Sequence, residues 1–394
     1  LDIMNIIGKI VVAGNVRRSA QIAIGDHDDL EYLRAKRWDL GGIPNWRAMS
    51  NNSVACDDIS LLPEEFWEGY KGNGEPYGLI NLSSSRIQGR TGETEYPDPD
   101  VMGYNPCAEQ SLANFETCCL AEIYLPNIES RVELKKVARY LYRINKHSLA
   151  IPCSVKETED IVHANMRMGI GVTGYLQATD EQRSWLSDVY VYLRAYDKQY
   201  SIDNGFPTSI KITTVKPSGT LSLLAGVTPG AHPGYSRHYI RRIRMAADSE
   251  LASVARNNGY FVEYVRNFDG TEDHSTVVVE FPCQFPDGTM FAEDMTAIDQ
   301  LNVIRKLQAE WSDNSVSVTI YYRKHELDAI KQWLSENYVN TKSVSFLLHS
   351  EHGFDQAPLE EITEARYLEM KEKVTEITSL DSLKMDDIDI ADCD

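Results

Sequence analysis

Along these 394 residues, short runs with an apolar side chain at every second position alternate with longer runs at helical spacing, and no unit repeats. Period-two runs form strands and period-3.6 runs form helices. The alternation therefore restricts the chain to an α/β architecture with a mainly parallel sheet. Strand-like runs are KIVVAG and RRSAQIAIGD, with Gly14 and Asn15 at the turn between them, then IKITTV, YFVEYVRN, TVVVEFP and SVSVTIYY. Helical spacing falls in EYLRAKRWDL, LPEEFWEGYKG, ESRVELKKVARYLYRINKHSLA, KETEDIVHANMRMG, ADSELASVARNNGY, IDQLNVIRKLQAEW and HELDAIKQWLSENYV. Residues 83–104 are polar, rich in Gly, Pro and Asp, and read as a loop. From about residue 359 the sequence turns acidic and helical, then runs into a low-complexity tail expected to be mobile.

With 42% hydrophobic and 25% charged residues, the chain can bury a core of ordinary size. A net charge of −20 sets it against nucleic acid and anionic lipid. Positive charge is gathered locally, in Arg17 and Arg18 and in the run Arg237–Arg244, which suits small anionic ligands such as nucleotides. No stretch reaches the roughly 18 apolar residues of a membrane span, and no signal peptide opens the sequence. Seven cysteines, an odd number in a large chain, match no secreted disulfide scaffold, so a cytoplasmic location is expected. The first residue is not Met and the last follows directly on Cys393, so both ends are expected to lie within a longer polypeptide.

Cys56, Cys153 and Cys283 stand alone and are expected to be ordinary buried or half-buried residues. Residues 105–119, NPCAEQSLANFETCC, differ in holding three cysteines and two carboxylates. Cys107, Cys118 and Cys119 form no C-x-x-C knuckle and the nearest histidine is His147, so no structural zinc site, and no metal site, is read here. Cys118 and Cys119 are neighbours about 3.8 Å apart at Cα, short of the roughly 4.4–6.8 Å a disulfide spans. Plain packing of all three thiols is one reading. The other notes that Asn105, Cys107 and Glu109 alternate, so an extended segment would present a thiol, an amide and a carboxylate on one face. Pro106 between them argues for a loop or edge rather than a central strand. Further on, Pro217, Ser218, Gly219 and Thr220 precede an apolar helical run, so free N–H groups and a cap hydroxyl could receive phosphate oxygens. Alone, such a turn is weak evidence of a ligand.

NPCAE with a second cysteine eleven residues after the first resembles the active-site finger loop of the adenosylcobalamin-dependent (class II) ribonucleotide reductases, most of all the monomeric ribonucleoside-triphosphate reductases. GNVRRSAQIAIGD resembles that family's effector-reading loop and following strand, NMRMGIGVTG its Gly-spaced segment, and VKPSGTLSLLAG its phosphate-binding turn. DNSVSVTIYY resembles a late barrel strand, and HGFDQAPLEEITEARY the segment leading to the C-terminal tail. The matches run in order over nearly the whole sequence.

The resemblance implies the later part of a ten-stranded α/β barrel, two antiparallel halves of five parallel strands around a central finger loop. It implies a catalytic barrel over residues 1–358 and a helical segment with a mobile redox tail over 359–394. By position, Cys107 is implied to carry a thiyl radical that takes the ribose 3′ hydrogen, Glu109 to accept the 3′-hydroxyl proton, and Asn105 to hold the substrate hydroxyls. Cys118 is implied to be one of two reducing cysteines, its partner expected upstream of Leu1. Cys119 receives no role and is the alternative to Cys118. Pro217–Thr220 is implied to bind substrate phosphate. Gly14, Asn15, Arg17, Arg18 and Ser19 belong to the loop expected to lie between a deoxynucleotide effector and the substrate base. Cys393 is expected to be the first thiol of a tail pair that a thioredoxin-like reductant recharges.

The basic run RHYIRRIRM is either support for the substrate or cobalamin, or an element with a charged outer face; His232 and His238 are not assigned as cobalt ligands. The absence of a glycyl-radical motif and the Pro before the finger cysteine favour adenosylcobalamin over other radical sources. The expected partners are thus a ribonucleotide, a deoxynucleotide effector and the reductant, with neither nucleic acid nor membrane. The expected alternatives are a reductase with another radical generator, or a nucleotide-binding fragment without turnover, the behaviour expected of a chain this short on its own.

Overall fold

The computed structural model describes residues 1–3, 5–7, 21–44, 46–47, 51–93, 95–266, 271–349 and 356–378. They fall into two compact units. The first holds the described residues within 1–12, 18–234 and 287–350; the second holds those within 235–286 and 351–394. No helix among the described residues is long and apolar enough to cross a membrane.

The first unit is organised by one run of extended segments. Strand β1 (Ile22–Asp26) pairs in parallel with β2 (Asn51–Ala55), and β2 with β3 (Gly78–Ile80). Strand β6 (Leu120–Tyr124) pairs in parallel with β7 (Gly169–Thr173). β7 continues through parallel bridges Ile170 to Thr213 and Val215 to Val316 into β11 (Thr319–Tyr322), which lies parallel to β12 (Ser343–Leu348). β12 then meets β3 in antiparallel register, Ser343 opposite Ile80 and Val344 opposite Leu79. The result is a set of five parallel segments joined through one antiparallel seam to a set of three. Among the described residues the array has eight members, not ten, and the five-and-seam pattern agrees with the expected barrel halves.

Parallel strands covered on both faces carry near-continuous apolar runs. Accordingly Ile170, Val172, Ile212, Val215, Val316, Val318, Ile320, Val344 and Phe346 are all buried. Helix α4 (Arg131–Ser148) follows β6; Ser130 caps it by accepting from Glu133 N at 3.2 Å, and Lys146 and His147 sit in its negative last turn. Helix α6 (Asp180–Asn204) opens on a capping box between Thr179 and Gln182. Its buried Asp197 accepts from Tyr142 Oη at 2.7 Å and from Lys146 Nζ at 3.1 Å, tying α6 to α4. Helix α6 and strands β2, β3, β6 and β12 are not among the elements expected from the sequence.

A buried polar cluster fixes the register of the middle strands. Asp313 accepts from Ile212 N at 3.0 Å and from Thr213 N at 2.8 Å, and pairs with Arg194 of α6. Its own carbonyl accepts from Lys342 Nζ at 2.7 Å, just before β12. Lys342 also donates to Gln88 O and Gly89 O, and burial pushes its ammonium well below the ordinary lysine range.

Three features depart from the sequence reading. Residues within the expected loop 83–104 are helical at α3 (Leu82–Ile87), because Asn81 Oδ1 accepts from Ser84 N at 2.8 Å and turns a polar serine run into a capped helix. The second unit is an antiparallel sheet, not a parallel one, in the order β13 (Leu359–Glu361), β8 (His238–Ala246), β10 (Glu272–Gln284), β9 (Phe261–Arg266). The basic run is therefore strand β8, where Arg242 pairs with Glu280 and Glu360. Residues 359–373 continue this unit as β13 and helix α11 (Glu364–Lys373), whose Met370 is buried.

Removing Asp313 leaves Arg194 buried without its anion. Asp313→Ala is expected to cost about 3–5 kcal/mol of unfolding free energy, as for one-sided loss of a buried ion pair. A urea unfolding curve measures it, and a midpoint unchanged from wild type would contradict the role given to this cluster.

Candidate active site

Strands β4 (Gly103–Tyr104) and β5 (Ser111–Leu112) form a hairpin whose tip is residues 105–110. One guanidinium grips both feet. Arg167, fully buried, pairs with Asp98 before β4 and through Nε with Glu116 after β5 at 2.9 Å, and donates to Ser111 Oγ at 3.2 Å. At the tip Ala108 N donates to Asn105 O at 2.8 Å and Ala108 sits at φ +59°, so the chain reverses tightly.

Four successive carbonyls of the tip accept bonds from strands of both sets. Pro106 O accepts from Asn51 Nδ2 of β2 at 2.9 Å, and Cys107 O from Ser317 Oγ. Ala108 O accepts from Ser343 Oγ of β12 at 3.1 Å. Glu109 O accepts from Thr214 Oγ1 at 2.6 Å and from Ser315 N at 3.1 Å. At β7 the approach is so close that a side chain on Gly169 would place its Cβ 2.7 Å from Gln110 Nε2.

The reversal changes how the three finger side chains are displayed. An extended segment would have put Asn105, Cys107 and Glu109 on one face; instead Cys107 is exposed at the tip, while Asn105 and Glu109 are buried. Cys107 lines a cavity of about 320 Å³ with Asn51, Ser317, Val318, Val344 and Phe346 among its walls, and Pro217 at its edge. Burial raises the Glu109 carboxyl above its ordinary range, opposed by a hydrogen bond from Asn105 and by the charge of Lys216. Glu109 Oε2 is buried and has no hydrogen-bond partner among the described residues.

Cys118 belongs to the same group. Cys118 is exposed as a residue, yet its thiol is pushed up first by loss of water around the sulfur and then by the charge of Glu109, and a hydrogen bond from Asn105 acts the other way. Cys119 is turned toward the core, its Sγ 3.9 Å from Asn145 O, and burial pushes it up to about 11. The structure thus gathers Asn105, Glu109 and Cys118, with Cys107 at the tip of the same loop. A carboxyl of raised affinity for protons beside a thiol and an amide can take up and return a proton; an exposed thiol beside a cavity can react with a group placed there. Cys56 is buried, and Cys153 and Cys283 are half-buried.

Behind this group lies a carboxylate that is not among the residues expected from the sequence. Glu122 of β6 is half-buried as a residue with its side chain withdrawn from water, and is pushed up to about 7 by desolvation; Lys216 and Ser218 oppose the shift, and Glu109 adds to it. Ser218 Oγ donates to Glu122 Oε1 at 2.8 Å, and Lys216 Nζ lies 3.2 Å from Oε2. The cross-strand register sets Glu122 opposite Gly171, the one usable signal in the sequence, because the missing side chain makes the room. The Pro217–Thr220 turn departs from a capped helix start. Helix α7 (Leu221–Leu224) is a single turn, and Thr220, already helical in backbone, makes no side-chain cap bond. Gly219 and Thr220 are exposed.

His232 is occupied within the protein: Nδ1 bonds Pro229 O at 3.1 Å and Nε2 accepts from Thr319 N at 3.0 Å. His238 packs on the Tyr367 ring. Gly14, Asn15, Arg17, Arg18 and Ser19, and Cys393 of the tail, lie outside the described residues.

No protein-family model matches the chain. It is 37% identical over 392 residues, 97% of its length, to the adenosylcobalamin-dependent ribonucleoside-triphosphate reductase of Euglena gracilis. It is 36% identical over 386 residues to a probable enzyme of the same name from Dictyostelium discoideum, and 35% identical over 414 residues to that of Lactobacillus leichmannii. The chain spans about half the length of these relatives, 53%, 49% and 55% respectively. The crystal structure of a B12-dependent (class II) ribonucleotide reductase matches with a TM-score of 0.77 at 30% identity, over 95% of this chain and 56% of that one. The class Id alpha subunit of Actinobacillus ureae, at 12% identity and a TM-score of 0.57 over 88% of this chain and 74% of that one, shares the fold. Over nearly all its residues, in sequence and in fold, the chain is similar to the adenosylcobalamin-dependent, class II ribonucleotide reductases, of whose length it spans about half.

Proposed function

We propose that the protein reduces ribonucleotides, ribonucleoside triphosphates by the relatives' names, to 2′-deoxyribonucleotides. The observation that carries the reading is the finger tip: an exposed Cys107 beside a cavity, with Asn105, Glu109 and Cys118 gathered at the base of the same turn. Cys107 is the hydrogen-atom carrier, withdrawing the 3′ hydrogen of ribose and later returning one. Glu109, with its unpartnered Oε2, holds the 3′-hydroxyl proton meanwhile, and Asn105 orients the hydroxyls. Loss of the 2′-hydroxyl as water takes two electrons and two protons, which two thiols supply as they become a disulfide. Cys118 is one of them; Cys119, turned to the core, is poorly placed for it.

The cavity beside Cys107 suits a nucleoside-sized group, with apolar walls at Val318, Val344 and Phe346 and polar ones at Asn51 and Ser317. Adenosylcobalamin, when bound, would supply an organic radical able to take a hydrogen atom from a thiol, and the exposed Cys107 is the thiol placed to give it. Pro217–Thr220 contacts substrate phosphate on its exposed face, with Lys216 beneath. Residues 14–19 read a deoxynucleotide effector, Cys393 belongs to a tail dithiol recharged by a thioredoxin-like protein, and the whole works in the cytoplasm.

Incubation of the full-length enzyme with adenosylcobalamin, a dithiol and a ribonucleoside triphosphate is expected to yield deoxynucleotide in a cofactor-dependent way; product formed equally without the cofactor refutes the assignment. Cys107→Ser is expected to abolish product while nucleotide affinity changes by less than about twofold. Glu109→Gln is expected to lower kcat by about 10²–10⁴ with little change in KM, because a proton acceptor acts in the transition state. The same Glu109→Gln change removes the charge that raises the Cys118 thiol, so more thiolate is present at neutral pH. Alkylation of Cys118 by iodoacetamide, followed by peptide mass spectrometry, is expected to speed up by about two- to fivefold.

A further inference from the structure

Glu122 takes no part in the chemistry proposed above, yet its side chain is only 4% exposed. Opposite it, a Cβ on Gly171 would stand 2.9 Å from Oε2, so the carboxylate fills the space a β7 side chain would occupy. Both of its partners come from one short segment. Lys216 Nζ is 3.2 Å from Oε2, and Ser218 Oγ donates to Oε1 at 2.8 Å. Ser218 holds a backbone φ of +52°, the left-handed region. That conformation is strained for a residue with a side chain, and the hydrogen bond to the Glu122 carboxyl group offsets the strain. The next residue, Gly219, is exposed, and a Cβ there would meet nothing within 4 Å, so the outer face of the turn is open.

We propose that Glu122 is a positioning residue for nucleotide phosphate: its carboxylate holds Ser218 in the left-handed conformation and thereby fixes the shape of Pro217–Thr220 on the face the phosphate meets. This rests on the reading of that turn as a phosphate contact. Glu122 itself touches no substrate and acts through Ser218. Glycine adopts positive φ without strain, so a glycine at 218 should make the carboxylate dispensable, which no merely structural role for Glu122 would allow.

The test is equilibrium binding of CTP to the protein and its variants, which needs no turnover. Glu122→Ala is expected to weaken binding about tenfold or more, and Ser218→Gly added to the same chain to restore it to within about threefold of wild type. Ser218→Ala, which removes the bonded hydroxyl but leaves Glu122 paired with Lys216, is expected to weaken binding about tenfold without disturbing the buried carboxylate. It serves as the reading should Glu122→Ala fail to fold. Gly219→Val, for which there is room, tests the turn by itself by obstructing its open face, and is expected to weaken binding about tenfold or more. If Gly219→Val weakens binding while Ser218→Ala does not, or while Ser218→Gly fails to rescue a folded Glu122→Ala protein, the role of Glu122 is overturned and the turn stands. If Gly219→Val binds CTP like wild type, the turn is not a phosphate contact and the role of Glu122 falls with it.

Discussion

Everything at the finger depends on where four backbone carbonyls end. A tight turn leaves its carbonyl oxygens pointing outward, and oxygens buried without donors are costly. Here Pro106, Cys107, Ala108 and Glu109 each find a donor on a strand, from Asn51, Ser317, Ser343, and Thr214 with Ser315. The donors come from both strand sets, so the tip is fixed relative to the whole array rather than to one neighbour. Side-chain positions follow from that backbone. Cys107 is carried outward to the cavity, and Glu109 and Asn105 inward toward Cys118. A family resemblance in NPCAE names these residues; the hydroxyl-lined strand ends are what give them a geometry.

Charge is handled by burial in matched sets. Arg167 with Asp98 and Glu116, Arg194 with Asp313, and Lys146 with Asp197 are each withdrawn from water as pairs or triads. Each joins segments distant in sequence. Such sets add less to stability than their contact distances imply, because desolvation opposes them. What they supply is register, since a one-residue slip of any strand would leave a buried ion alone. Glu122 follows the same rule at the edge of the site, with Lys216 as its counterion and Ser218 as its hydrogen-bond donor.

Much of the α/β pattern was legible, and the failures have physical causes. The helices at 131–148, 156–165 and 297–310 stand at the expected places because their apolar stripes are local, and the first and last also open on side-chain caps at Ser130 and Thr296. Helix α6 was passed over although Thr179 and Gln182 spell a capping box. Strand β12 was missed because it is a six-residue run whose meaning lies in its partners β3 and β11. The antiparallel second sheet could not be read from alternation, since period two is common to both strand directions. In the proposed site, Asn105, Cys107, Glu109 and Cys118 are named by the motif, whereas their display is not legible in it. The positive φ of Ala108 is imposed by the docked turn, not by an alanine's own preference. Glu122 was silent because a lone carboxylate in LAEIY looks like any solvent-facing strand residue.

The antiparallel seam has a bearing on assembly. It joins β3 to β12, and beside it Asn81 Nδ2 donates to Tyr338 O across 257 residues of sequence. Contacts so remote are slow to close, and on a ribosome the donors Ser315, Ser317 and Ser343 emerge long after the finger whose carbonyls they receive. For most of synthesis NPCAE is therefore a loop without a socket. The Cys107 thiol acquires its final position only when almost all of this chain has been made, so the same bonds that aim it also date it as one of the last parts of the fold to become ordered.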